Sequence, residues 1–147
     1  MQNLVELEFD WLPIHAEMNQ EYFYPAPQNS YMRKLYKTAS VYRWKVHRHS
    51  EECKTVYIGE TNNFSNRLNG YLKPGTSQMT NIRMKSLFDE FLSNKYLVTI
   101  EIMSIKKLQI NSKPYSQLDL TNTSLRRLIE NLLLIDHRDQ GYEILNA

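Results

Sequence analysis

The chain has 147 residues, 41% of them hydrophobic and 23% charged, with four Gly, five Pro and a single Cys. That describes one soluble globular domain and excludes a disulfide scaffold, a collagen-like repeat and a disordered chain. The net charge of +2 conceals an asymmetry: the first 36 residues hold two Lys or Arg against five Asp or Glu, and the remainder holds 16 against 11. A basic body permits a polyanionic partner, because each phosphate contact needs a cation.

Residues 1–36 are aromatic-rich and broken by Pro13, Pro25 and Pro27, which predicts an irregular arm packed on the body, with one short helix around His15–Glu21. Residues 37–147 read as the domain proper. Ala39–His47 and Lys54–Ile58 are β-prone, and the polar stretch Arg48–Cys53 between them reads as a hairpin loop. Asn62 and Asn63 are helix N-caps ahead of Phe64, Arg67, Leu68, Tyr71 and Leu72 at helical spacing, and Lys73-Pro74-Gly75 stops that helix. A second helix is expected from Thr80 to Asn94, a third strand from Tyr96 to Ile105, and a polar connection from Lys106 to Asn122. The last helix is capped near Thr121–Thr123 and runs to about His137, and an extended tail ends the chain. The order β-β-α-α-β-α predicts an α/β fold: a small sheet, made of a hairpin plus a third strand, flanked by helices.

The opening MQNLVELEFD is acidic and lacks the apolar run of a secretion signal, while the greasiest stretch, Leu128 to Ile135, is short and interrupted by Glu130 and Asn131. A cytoplasmic protein without a membrane partner is the expectation, and a lone thiol, Cys53, agrees with a reducing compartment. His47-Arg48-His49 offers two ring nitrogens on one strand face, but no further Cys or His follows at ligand spacing, so a solvated or phosphate-touching hairpin tip is expected.

Chemistry concentrates in a few residues. Tyr42 lies on the first hairpin strand and Tyr57-Ile58-Gly59 ends the second. Arg67 and Tyr71 are one turn apart on one helix face. Glu130 sits on an otherwise apolar helix, between Leu133 and Leu134 around its circumference. Each has an ordinary structural reading. The two tyrosines could pair across the hairpin, Arg67 could be solvated, and Glu130 could pair with Arg126 or Arg127 one turn earlier.

Together these residues resemble the GIY-YIG nuclease family over Ala39 to Asn146. Ser40-Val41-Tyr42 stands where that family has Gly-Ile-Tyr, with Ser40 in place of the glycine and a longer hairpin, and Tyr57-Ile58-Gly59 matches the second tripeptide letter for letter. Arg67 falls at the family's helix arginine, Tyr71 at its His-or-Tyr position, Glu130 at its metal-binding glutamate and Asn146 at its late asparagine. The resemblance implies a DNA endonuclease that hydrolyses phosphodiester bonds with Mg²⁺ or Mn²⁺ held by Glu130. It also implies Tyr42 as the base, with Tyr57 and Tyr71 shaping the site and Arg67 facing the phosphate. The compact layout is similar to that of the restriction members, whose dimers bring two sites to two strands. A stand-alone repair or mobile-element nuclease, and a non-catalytic nucleic-acid-binding module on the same fold, are the alternatives.

Overall fold

A computed structural model describes residues 1–147. The first 36 residues are not an irregular arm. Val5–Pro13 form a strand, β1, and His15–Glu17 with Gln20–Glu21 form a two-stranded ladder, β2 and β3, where a helix is expected. The helix of this region, α1, comes later, at Ser30–Leu35, capped by the Asn29 side chain on the Met32 N–H at 2.9 Å. Aromatic side chains decide the packing: Tyr22, Tyr24 and Tyr36 are buried in the same core as Tyr42 and Trp44, while Phe23 and Tyr31 stay exposed.

Ser40–His47 (β4) and Thr55–Thr61 (β5) make the expected hairpin, antiparallel with Tyr42 opposite Gly59 and Trp44 opposite Tyr57. Phe64–Leu72 (α2) and Met79–Ser93 (α3) follow as the sequence predicts. In α3, Met84 and Phe88 are the buried positions, and Ile82 is exposed. The third strand, Leu97–Ile110 (β6), is longer than expected and takes in the first residues of the polar connection. Its partner explains this. β1 pairs antiparallel with β6 from Val5 opposite Ile110 to Pro13 opposite Glu101, and Lys106 and Lys107 bridge to Asp10 and Glu6 at 3.0 and 2.9 Å. Lys113–Tyr115 (β7) folds back on β6, a 3₁₀ turn spans Gln117–Thr121, and Thr123–Asp139 (α4) is capped by Asn122. Glu143–Ile144 (β8) lies parallel to β5.

The result is a mixed α/β fold with a six-stranded sheet in the order β1-β6-β4-β5-β8, β7 extending β6, and four helices. Strand alternation divides the interior in two. Tyr42, Trp44, Val98 and Ile100 face α2, α3 and the β2–α1 segment; Val41, Val56, Ile58 and Met103 face α4. β5 lies near the sheet edge, and β8 pairs with it only at Thr55 and Val56. Its far end, Tyr57 to Thr61, therefore lies within reach of a helix from either face. No helix is long and apolar enough to cross a membrane.

Candidate active site

Tyr57, Gly59 and Tyr42 occupy the α2 face of the hairpin, and Tyr71 comes down on them from α2. The two strand tyrosines do not pair with each other. Each packs instead on Tyr71, with ring centroids 6.2 Å (Tyr42) and 6.3 Å (Tyr57) away, and the Tyr42 and Tyr71 hydroxyls share a hydrogen bond of 2.7 Å. Tyr42 and Tyr71 are fully buried, and Tyr57 is partly open. Burial raises all three phenols above the ordinary tyrosine value, most for Tyr42 and Tyr71, while the Arg67 charge pulls each downward without prevailing.

Arg67 sits one turn before Tyr71 on α2, which the Asn63 side chain starts by accepting the Asn66 N–H at 3.1 Å. It is half-buried, and its guanidinium makes no hydrogen bond or ion pair within the chain. Burial works against its charge, but Tyr42, Tyr71, Glu60 and Tyr57 together hold it more firmly protonated than usual.

Glu130 approaches from α4 on the opposite face of the sheet. It is half-buried and does not pair with Arg126 or Arg127. Arg126 is engaged elsewhere: its Nε donates to Glu60 Oε2 at 2.6 Å, its Nη1 to the Leu120 and Thr121 carbonyls, and its Nη2 to Thr123 Oγ1. The Glu130 carboxyl is raised above the ordinary carboxylate range, by burial first and by the Glu60 charge second, while Arg127 and Arg67 oppose the shift. An unpaired, partly desolvated carboxylate and an unpaired, partly desolvated guanidinium thus flank the open end of β5. Protein interiors rarely keep such groups without partners.

Glu60 and Arg126 are members of this constellation that the sequence reading passes over. A signal for Glu60 was present, since a residue directly after Tyr57-Ile58-Gly59 must face away from Tyr57 and Gly59, toward α4. Arg126 gave its signal as a charge on the apolar stripe of α4, where it is 4% exposed. Asn146 is close at hand but plays a backbone part: its Oδ1 accepts the Ile58 N–H at 3.0 Å and its Nδ2 donates to the Ile58 carbonyl at 2.7 Å. The side-chain amide so continues the β8 ladder and fixes the strand that carries Tyr57 and Gly59. Ser40, in the place of a glycine, is buried, with its hydroxyl directed at the Thr38 carbonyl.

No family model, curated protein or solved structure matches this chain.

The donor set limits which ion could be held. Nowhere do three or more His, Cys, Asp or Glu side chains converge, and of the two carboxylates in this constellation Glu60 is paired with Arg126, which leaves Glu130 without a partner. That fits a hard divalent cation that keeps waters and substrate oxygens as its other ligands, as Mg²⁺ does, and fits Mn²⁺ by the same oxygen chemistry; it does not fit zinc. At the hairpin tip, Arg48 lies over the Tyr96 ring at 4.7 Å and His47 points at Thr99 Oγ1, so neither is turned toward the other site residues.

Proposed function

We propose that this chain is a divalent-metal-dependent DNA endonuclease of the GIY-YIG type that hydrolyses phosphodiester bonds. The observation that carries the reading is the pair Arg67 and Glu130: from separate helices on opposite faces of the sheet, both unpaired and half-buried at the end of β5 where the three tyrosines gather. A guanidinium beside a scissile phosphate stabilises the charge that builds on the nonbridging oxygens during attack. A divalent ion on Glu130 would supply stabilisation of the leaving 3′ oxygen.

The base is assigned by access. A general base must reach the proton that it takes, directly or through one water. The buried Tyr42 hydroxyl is occupied with Tyr71, so its part is to orient Tyr71 and close the inner side of the site. Tyr57 is the least buried of the three phenols and feels the Glu130 charge as well as those of Arg83 and Arg67, so we assign the proton of the attacking water to Tyr57. Burial keeps that phenol high, which makes the phenolate scarce at neutral pH and the reaction faster in alkali.

The form of this activity that we propose is a restriction-type enzyme acting as a dimer on two strands. Purified protein incubated with plasmid and with the DNA of its own source, with Mg²⁺ and with EDTA, tests the reading. Discrete fragments only with Mg²⁺ are expected, a smear would indicate a nonspecific repair-type or mobile-element nuclease, and intact DNA throughout would leave a binding module in its place.

A further inference from the structure

Arg67 also forms part of the wall of a cleft of about 620 Å³ that opens between α2 and α3. Asn62, Asn63 and Asn66 line one side and Gln78, Thr80 and Asn81 the other; Arg67 is the only charged lining residue and Met79 the only hydrophobic one. An adjoining cleft of about 560 Å³ shares Asn66, Gly70 and Gln78 with the first but is lined by Arg33, Lys73 and Lys85. Both clefts carry amides, Gln28, Asn66, Asn69 and Gln78 in the second, but three cations line the second cleft and Arg67 alone lines the first.

The amides differ in what they have left to offer. Asn63 is used as the cap of α2. Gln78 Oε1 accepts both the Gly75 N–H at 2.9 Å and Asn81 Nδ2 at 3.3 Å, which fixes that pair and leaves Gln78 Nε2 and Asn81 Oδ1 uncommitted. Asn62 and Asn66 are exposed, with side chains that bond to nothing else in the chain. A phosphate track calls for cations, whereas base edges are read by groups that donate and accept at once, and a carboxamide does so best with adenine N6 and N7.

We infer that the α2–α3 cleft reads base edges of duplex DNA beside the scissile phosphate, with Asn62 and Asn66 as adenine-reading amides, and that Arg33 and Lys73 of the adjoining cleft grip the backbone. The inference rests on the nuclease reading for its ligand and goes beyond it by assigning sequence specificity to named residues outside the reacting set. Because Arg67 belongs to both the cleft and the tyrosine cluster, a base read here lies within a few base pairs of the cut.

The test is a selection from randomised duplex DNA by the metal-free protein in EDTA, followed by sequencing. It is run for the wild type and for Asn62→Ala, Asn66→Ala and Lys73→Ala, with thermal melting to confirm the fold and Mg²⁺-dependent cleavage of the same DNA alongside. The wild type is expected to enrich a motif with a fixed adenine. Asn66→Ala or Asn62→Ala should lower the preference for that base roughly 5- to 150-fold at one position. Lys73→Ala should instead weaken binding to all sequences alike and reduce the salt slope by about one. A wild type without base preference, or a preference that neither asparagine variant alters, overturns the inference even if Mg²⁺-dependent cleavage persists. Adenine selection lost in the asparagine variants, in a protein that never cleaves, would support the cleft and sink the nuclease reading instead. Absence of any DNA binding overturns both.

Discussion

Gly59 lies directly across the β4–β5 ladder from Tyr42, and a Cβ on Gly59 would overlap the Tyr42 ring and hydroxyl. The backbone there is ordinary extended strand, so glycine is required for the close approach of the phenol rather than for an unusual dihedral. With its hydroxyl 2.7 Å from that of Tyr71, the ring has nowhere to retreat. Gly59→Ala is therefore expected to lower stability by about 1–3 kcal/mol, the usual cost of overpacking a filled core. Urea denaturation measures it, and a change below about 0.5 kcal/mol would show that the tyrosine moves freely.

The three tyrosines should separate into one that handles protons and two that hold shape. Tyr57→Phe is expected to reduce cleavage by roughly 10²–10⁴-fold and to leave stability within about 0.5 kcal/mol. Tyr42→Phe should instead cost about 1–3 kcal/mol of stability, since it strips a buried Tyr71 hydroxyl of its partner. Cleavage by the wild type should rise about tenfold per pH unit above neutrality, because a phenol whose pKa is raised is only sparsely ionised there. A rate flat from pH 7 to pH 9, or a larger cleavage loss in Tyr42→Phe than in Tyr57→Phe at matched folding, would remove Tyr57 as the base.

Glu130→Gln should stabilise the protein while abolishing its activity. A carboxyl whose pKa is higher folded than unfolded favours the native state fully only while protonated, at low pH; that contribution is lost as pH rises through the folded value. At neutral pH the ionised Glu130 therefore costs stability, which the neutral amide restores. The variant is expected to melt above the wild type at pH 7, with the difference closing as the pH falls below the ordinary carboxylate range. Mg²⁺-dependent cleavage should vanish, and metal-free DNA binding should persist or tighten. A Glu130→Gln protein that melts below the wild type at pH 7 would show that Glu130 is a stabilising partner after all.

Arg126 and Arg127 are adjacent and chemically identical, yet they should respond very differently to truncation. Arg126 is 4% exposed and bonded to a Glu60 that is 17% exposed, so Arg126→Ala leaves a half-buried carboxylate alone beside Glu130. Breaking such a pair from one side costs about 3–5 kcal/mol. Arg127 is exposed and unpaired, and Arg127→Ala should change stability by no more than about 0.5 kcal/mol. Thermal melting of the two variants side by side decides it, and equal effects would mean that the Glu60–Arg126 contact contributes nothing.

Local pattern alone determined the hairpin, the helices after it and the positions of Tyr42, Tyr57, Arg67, Tyr71 and Glu130, because strand alternation, Asn caps and helical spacing are written within a few residues of one another. It failed for the first 36 residues. Nothing near Val5–Pro13 announces that its partner lies about a hundred residues later, and a strand exists only once β6 supplies the other half of its hydrogen bonds. Tertiary structure also decided the partners of the charges. Sequence neighbours suggested that Glu130 pairs with Arg126, but the fold brings Glu60 to Arg126 from a different strand and leaves Glu130 free. It likewise placed Asn146 on the Ile58 backbone, 88 residues away. Spacing fixes which residues share a face; which charge is answered, and which is left for a ligand, depends on what chain closure brings opposite.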